Sequence, residues 1–148
     1  MATVILAVIA LGCSISMQVR PGYFENDRRT AEVAMTTFHR RLGEGRLDEI
    51  YEESDSALRA GRSKADLLSA MRDTRETFGA FVRSDIRAAS CFPQQVRFVT
   101  HTEYEKGQAT EMFVWSVLEG KARLFQYQIT AGLADVPVGA GNDCKSAK

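Results

Sequence analysis

The chain lacks an excess of charge of either sign: Lys plus Arg and Asp plus Glu number 19 each, for a formal net charge of zero. Nucleic acid and anionic lipid surfaces are bound through a basic field, so that balance argues against both as charge-driven partners. No stretch approaches the roughly 18 apolar residues that a spanning helix needs. There is no Gly-rich phosphate loop, no Gly-x-Ser-x-Gly, no Cys-x-x-Cys and no His-Glu-x-x-His. The common signatures of phosphate cradling, acyl transfer, thiol redox chemistry and zinc proteolysis are therefore missing. Only two histidines are present, and no other His, Cys or carboxylate stands at ligand spacing from His39, so neither a metal nor another cofactor is expected. What is present is enough for one domain with a real core: 148 residues, 45% of them hydrophobic.

Residues 4–11 form an uncharged apolar run that stops at Gly12-Cys13 and gives way to polar sequence. A run of about 7 to 15 apolar residues enters a membrane as the core of a signal peptide and is too short to span it. Leu11-Gly12-Cys13 resembles the lipobox of bacterial lipoproteins, in which a small residue precedes the cysteine that is acylated and becomes the mature N-terminus. The resemblance implies a signal peptide at 1–12 and lipid attachment at Cys13. It also implies a bacterial envelope location facing the periplasm or exterior, with the membrane as a partner through acyl chains alone. Ala10 stands where that motif usually has leucine, and no Lys or Arg precedes the run; a start codon assigned too far downstream would explain the missing charge. Cleavage as an ordinary secretory signal, or an uncleaved anchor or buried strand, are the alternatives. An exported chain lives where disulfides persist, and with Cys13 acylated Cys91 and Cys144 remain, either bridged or as two free thiols.

Residues 13–26, with Pro21-Gly22 in the middle, show no sustained period and read as a tether. A domain is expected over 27–130 and a flexible tail over 131–148, where Ala, Gly and small polar residues dominate. Ala31, Ala34, Met35, Phe38 and Leu42 make one apolar stripe on a first helix starting near Asp27. Leu47, Ile50 and Tyr51 mark a second, and a helical turn around Ala57 and Leu58 follows. A third full helix starts at Ser63, with Asp66 completing a capping box, and stops at Gly79. Beyond Gly79 the period changes from 3.6 to 2, with strands expected at 81–90, 96–105, 108–118 and 123–129. A tight turn at Glu105-Lys106-Gly107-Gln108, using a positive φ at Gly107, sets Tyr104 opposite Ala109, Thr102 opposite Glu111, Thr100 opposite Phe113 and Phe98 opposite Trp115. A three-residue loop through Glu119-Gly120-Lys121 would set Phe125 beside Trp115 and Tyr127 beside Phe113; a two-residue loop would bring Leu124 and Gln126 there instead.

Helices leading into an antiparallel meander give an α+β class, with N-terminal helices packed on a curved sheet of about four strands. Phe38-His39-Arg40-Arg41-Leu42, Gly45-Arg46-Leu47-Asp48-Glu49-Ile50-Tyr51, Glu103-Tyr104-Glu105-Lys106-Gly107, Thr110-Glu111-Met112-Phe113-Val114-Trp115 and Glu119-Gly120-Lys121 with Tyr127 carry a resemblance across roughly 28 to 130. They look like small exported bacterial proteins of the nuclear transport factor two-like, cystatin-like cone superfamily. The resemblance implies a sheet curled around the helices, an interior able to hold a small apolar ligand and, in some members, acid–base chemistry there.

No catalytic residue is expected; the candidates, if there were one, are Glu111 and Tyr104 on the inward stripe. Glu111 stands close to the hairpin tip, which places it at a wet rim. His101 points outward. Val99, Met112 and Val114 form an apolar island on the outer sheet face, ringed by Arg97, His101, Glu103 and Ser116, a candidate surface for a homodimer or another partner. The expectation is a non-enzymatic envelope module that binds or self-associates. The alternative is a small-molecule binder or enzyme using the cone interior.

Overall fold

The computed structural model describes residues 23–136 and Cys144. The change of period at Gly79 is the change of architecture. Before it lie α1 (Tyr23–Glu44), α2 (Leu47–Glu52), α3 (Ser56–Gly61) and α4 (Lys64–Phe78). After it lie β1 (Phe81–Phe92), β2 (Gln95–Tyr104), β3 (Gly107–Leu118) and β4 (Lys121–Ala131). The strands form one antiparallel sheet in the order β1-β2-β3-β4, with the helices against its curved inner face. Ser63 caps α4 by accepting from the Asp66 N–H at 3.1 Å, and Asp55 caps α3 by accepting from the Ala57 N–H at 2.8 Å.

Alternate residues of β2 and β3 supply the core. Val96, Phe98 and Thr100 on one strand and Phe113, Trp115 and Val117 on the other meet Met35, Phe38 and Leu42 of α1 and Leu67 and Met71 of α4, all at most 7% exposed.

The observed register differs from the expected one by two residues at the β2–β3 hairpin. Tyr104 pairs with Gly107, Thr102 with Ala109, Thr100 with Glu111, Phe98 with Phe113 and Val96 with Trp115. The turn is Glu105-Lys106, and Gly107 needs no positive φ. Docking fixes this tighter turn. The Glu105 N–H donates to the Ala80 carbonyl at 2.8 Å and the Lys106 N–H to that of Phe78 at 2.9 Å. At Gly79, with φ 77°, an added Cβ would sit 3.2 Å from the Glu105 Cβ, so glycine is what lets the hairpin tip close on the end of α4.

The β3–β4 connection corrects the second expectation. It is a two-residue turn, with Glu119 at φ 51° and Gly120 at φ 71°, both left-handed as a hairpin of this length requires. Trp115 faces Leu124, not Phe125. A register shift then follows between Val114 and Trp115, and Tyr127 returns opposite Phe113. The extra residue on β4 is Phe125, left 37% exposed while Leu124 is buried.

Two boundaries also move. α1 begins at Tyr23 rather than near Asp27, so 23–26 belong to the helix and not to a tether; Phe24 packs against the core and Glu25 pairs with Arg29 one turn on. At the other end the described residues of the expected tail are held to the sheet. The Gly132 N–H donates to the Gln108 carbonyl, and Cys144, 2% exposed, is joined to Cys91 by a disulfide.

Candidate functional site

Glu111 is not at a rim: it is fully buried. Three elements close over it because the hairpin tip is folded onto α4 and α1 crosses the inner face. Four donors converge on the two carboxylate oxygens. Oε1 accepts from the Tyr104 and Tyr127 hydroxyls, each at 2.7 Å. Oε2 accepts from His39 Nε2 at 2.9 Å and from the Thr102 hydroxyl. Thr102 has one proton and gives it to Glu111, so Ser84 Oγ at 2.9 Å and Thr100 Oγ1 at 3.2 Å must donate to Thr102. The polar chain therefore runs from α1 through β4, β3 and β2 to β1.

Burial pushes the Glu111 carboxyl up, but the His39 hydrogen bond and charge, with the Thr102 and Tyr127 hydroxyls, outweigh it and hold the group below the ordinary carboxylate range. Desolvation and the charge of Glu111 raise both Tyr104 and Tyr127, which therefore keep their protons and act as donors. An ionised carboxylate only accepts, so His39 Nε2 carries a proton. Its ring stacks on Phe81 at 4.3 Å between centroids and meets Phe113 edge-on at 5.5 Å. Such a carboxylate is a poor general base, since its basicity is lowered and no lone pair faces solvent.

The other end of the same inward stripe is built differently. Trp115 is 4% exposed, stacks on Phe113 at 5.9 Å, and its indole N–H has no hydrogen-bond partner among the described residues. It lines a groove of ≈ 540 Å³ between α1, the α2–α3 link and the β3–β4 hairpin. Phe38, Ala34, Ile50 and Leu124 make the apolar walls. Arg41 is held on one side by a bidentate pair with Glu53 at 2.7 and 2.8 Å, and Arg59 bonds the Ser54 carbonyl at 2.9 Å. Lys121 and Arg123 line the opposite lip; both are exposed, and neither pairs with a carboxylate among the described residues. A second hollow of ≈ 340 Å³ between α4 and β4 reaches Tyr127 and Ile129 but not Glu111.

No protein family and no curated protein matches the chain. Its site is therefore read from geometry. Of the residues singled out in the sequence, Glu111 and Tyr104 are brought into direct contact. His101 lies on the outer face, where Nε2 donates to the Ala134 carbonyl at 3.0 Å, and the returning chain also exchanges two bonds with Thr110. Beside it Val99 and Met112 pair directly and stay partly exposed, whereas Val114 is 3% exposed within the single chain. Cys13 and the apolar run before it lie outside the described residues. No helix among the described residues is long and apolar enough to cross a membrane.

Neither the part His39 plays nor the groove beside Trp115 was foreseen. His39 follows Ala31 and Met35 at four-residue steps, on the buried row of α1, which was a readable signal for a histidine meeting an inward carboxylate. The Trp115 groove had no such signal, because its walls come from three separate parts of the chain.

Proposed function

We propose that this chain is an exported, membrane-tethered module of the bacterial envelope that binds rather than catalyses. The observation that carries this reading is the closed coordination of Glu111: the side chain best suited to acid–base work has all its acceptor capacity taken by protein donors and no exposure. The disulfide between Cys91 and Cys144 supports an oxidising compartment, and the apolar run ending at Cys13 supports acylation there. Intact-mass measurement of membrane-extracted protein from a bacterial host tests the address. A species starting at acylated Cys13 is expected, and one without acyl mass or with another N-terminus would overturn it.

Self-association through the outer sheet face is a second reading, favoured by the directly opposed and partly exposed Val99 and Met112. Met112→Asp should shift a dimer to monomer in sedimentation, since a charge would be buried at the contact. A parent chain that is monomeric throughout would remove this reading.

A further inference from the structure

We infer that the Trp115 groove is the binding site for a small amphiphilic anion, with an apolar body and a carboxylate-like head. The inference deepens the binding-module reading and rests on it. Three independent features of the groove converge on this ligand class. Its ≈ 540 Å³ falls within the ~300–1,000 Å³ range of small-molecule sites. Its walls at Phe38, Ile50 and Leu124 are apolar, which accommodates an alkyl or aryl body. Its lip carries two cations, Lys121 and Arg123, that form no ion pair among the described residues.

Among the groove's polar groups Trp115 supplies a donor: its buried indole N–H has no acceptor among the described residues, and an acceptor brought to it would satisfy it. Lys121 and Arg123 then fix the charge of the ligand. They stand two residues apart on β4 at the lip and form no ion pair among the described residues, Arg123 acting on Asp55 only through its field, whereas the acidic Glu53 on the far side is already engaged by Arg41. Glu52, also on that side, is bonded by Lys64 Nζ at 2.8 Å. The free charge at the groove is therefore positive.

Trp115 is the single tryptophan of the chain, so its emission reports occupancy directly. Decanoate kept below its micelle-forming concentration is titrated into the folded protein, with decanol as the uncharged control and vesicles of anionic phospholipid as a separate arm. Saturable change with decanoate, and weaker binding of decanol, are expected. The surface double variant Lys121→Glu/Arg123→Glu should keep the parent's unfolding curve and bind about tenfold more weakly. Trp115→Phe, followed by calorimetry, should weaken binding about three- to tenfold through loss of the indole donor alone. No response to decanoate, equal binding of decanol, or a response to vesicles alone would each overturn the assignment. A chain acylated at Cys13 yet unresponsive to decanoate would lose this site and keep the binding-module reading.

Discussion

Glu111 and Trp115 sit on the same side of β3 and are both buried, but they solve burial in opposite ways. At Glu111 four donors meet four acceptor positions, and the cost of taking a carboxylate from water is offset by hydrogen bonds. At Trp115 a donor is buried with no acceptor among the described residues, beside a groove whose lip carries Lys121 and Arg123. Satisfied polarity marks a place that holds the fold together; unsatisfied polarity marks a place waiting for something. The comparison is a physical one, and substitutions at each end separate it.

The largest effect is expected from Glu111→Ala, which leaves the donors of His39, Thr102, Tyr104 and Tyr127 facing a cavity. A loss of about 5 kcal/mol, a large share of a small domain's stability, should show in urea unfolding, and a loss below about 1 kcal/mol would mean the network is not structural. Glu111→Gln keeps the shape but offers an amide N–H₂ to donors, so about 3 kcal/mol is expected. Acid sharpens the same point. The folded carboxyl lies below its usual value near 4.5, so its stabilisation is complete above that pH and is lost as pH falls through the lower folded value. The parent should lose stability faster than Glu111→Gln on acidification below about pH 4.5, and parallel curves would contradict the assigned direction.

The bridge falls between the two Glu111 variants in size. Cys91 and Cys144 are 53 residues apart in sequence, and cross-linking a loop of that length restricts the unfolded chain by about 4 kcal/mol. Cys91→Ser, or a reductant, should lower the urea midpoint accordingly; an unchanged midpoint would show that the bridge contributes nothing to the folded balance. Tyr104→Phe removes one of four donors without emptying volume and should cost about 1 to 2 kcal/mol. Smallest is Trp115→Phe. Deleting an N–H that has no partner removes a penalty while the smaller ring loses some packing, so the stability should change by less than about 1 kcal/mol. A loss comparable to Tyr104→Phe would mean that the indole donor is satisfied after all.

The sheet was readable further than its details. The two-residue error at the β2–β3 hairpin preserved every facing direction, because side chains repeat with period 2, and so Glu111, Phe113 and Trp115 were correctly placed inward from a wrong pairing. Phe125 shows the opposite case. One extra residue on β4 reverses which neighbour meets Trp115, and nothing in the local pattern announces a bulge. The rim reading of Glu111 failed for a tertiary reason: proximity to a hairpin tip says nothing about whether that tip is itself packed, and here Gly79 lets it close on α4. Small and polar residues after 130 suggested a loose end, while the single cysteine among them was the one local sign of attachment.

The sulfur of Cys91 lies 3.8 Å from the Phe24 carbonyl, a contact rather than a hydrogen bond because a disulfide sulfur has no proton. The start of α1 is thus pinned beside the β1–β2 turn, and the Val117 N–H bonded to the Gln94 carbonyl at 2.9 Å sets the β3–β4 turn alongside. The chain enters the domain at the pole that carries Lys121, opposite the pole capped by the β2–β3 hairpin. From Cys13 to Tyr23 the chain spans at most about 35 Å. On the proposed lipid tether, a reach that short would keep the pole where the chain enters within about 35 Å of the leaflet, so the domain would work at the membrane surface and not in the open aqueous space.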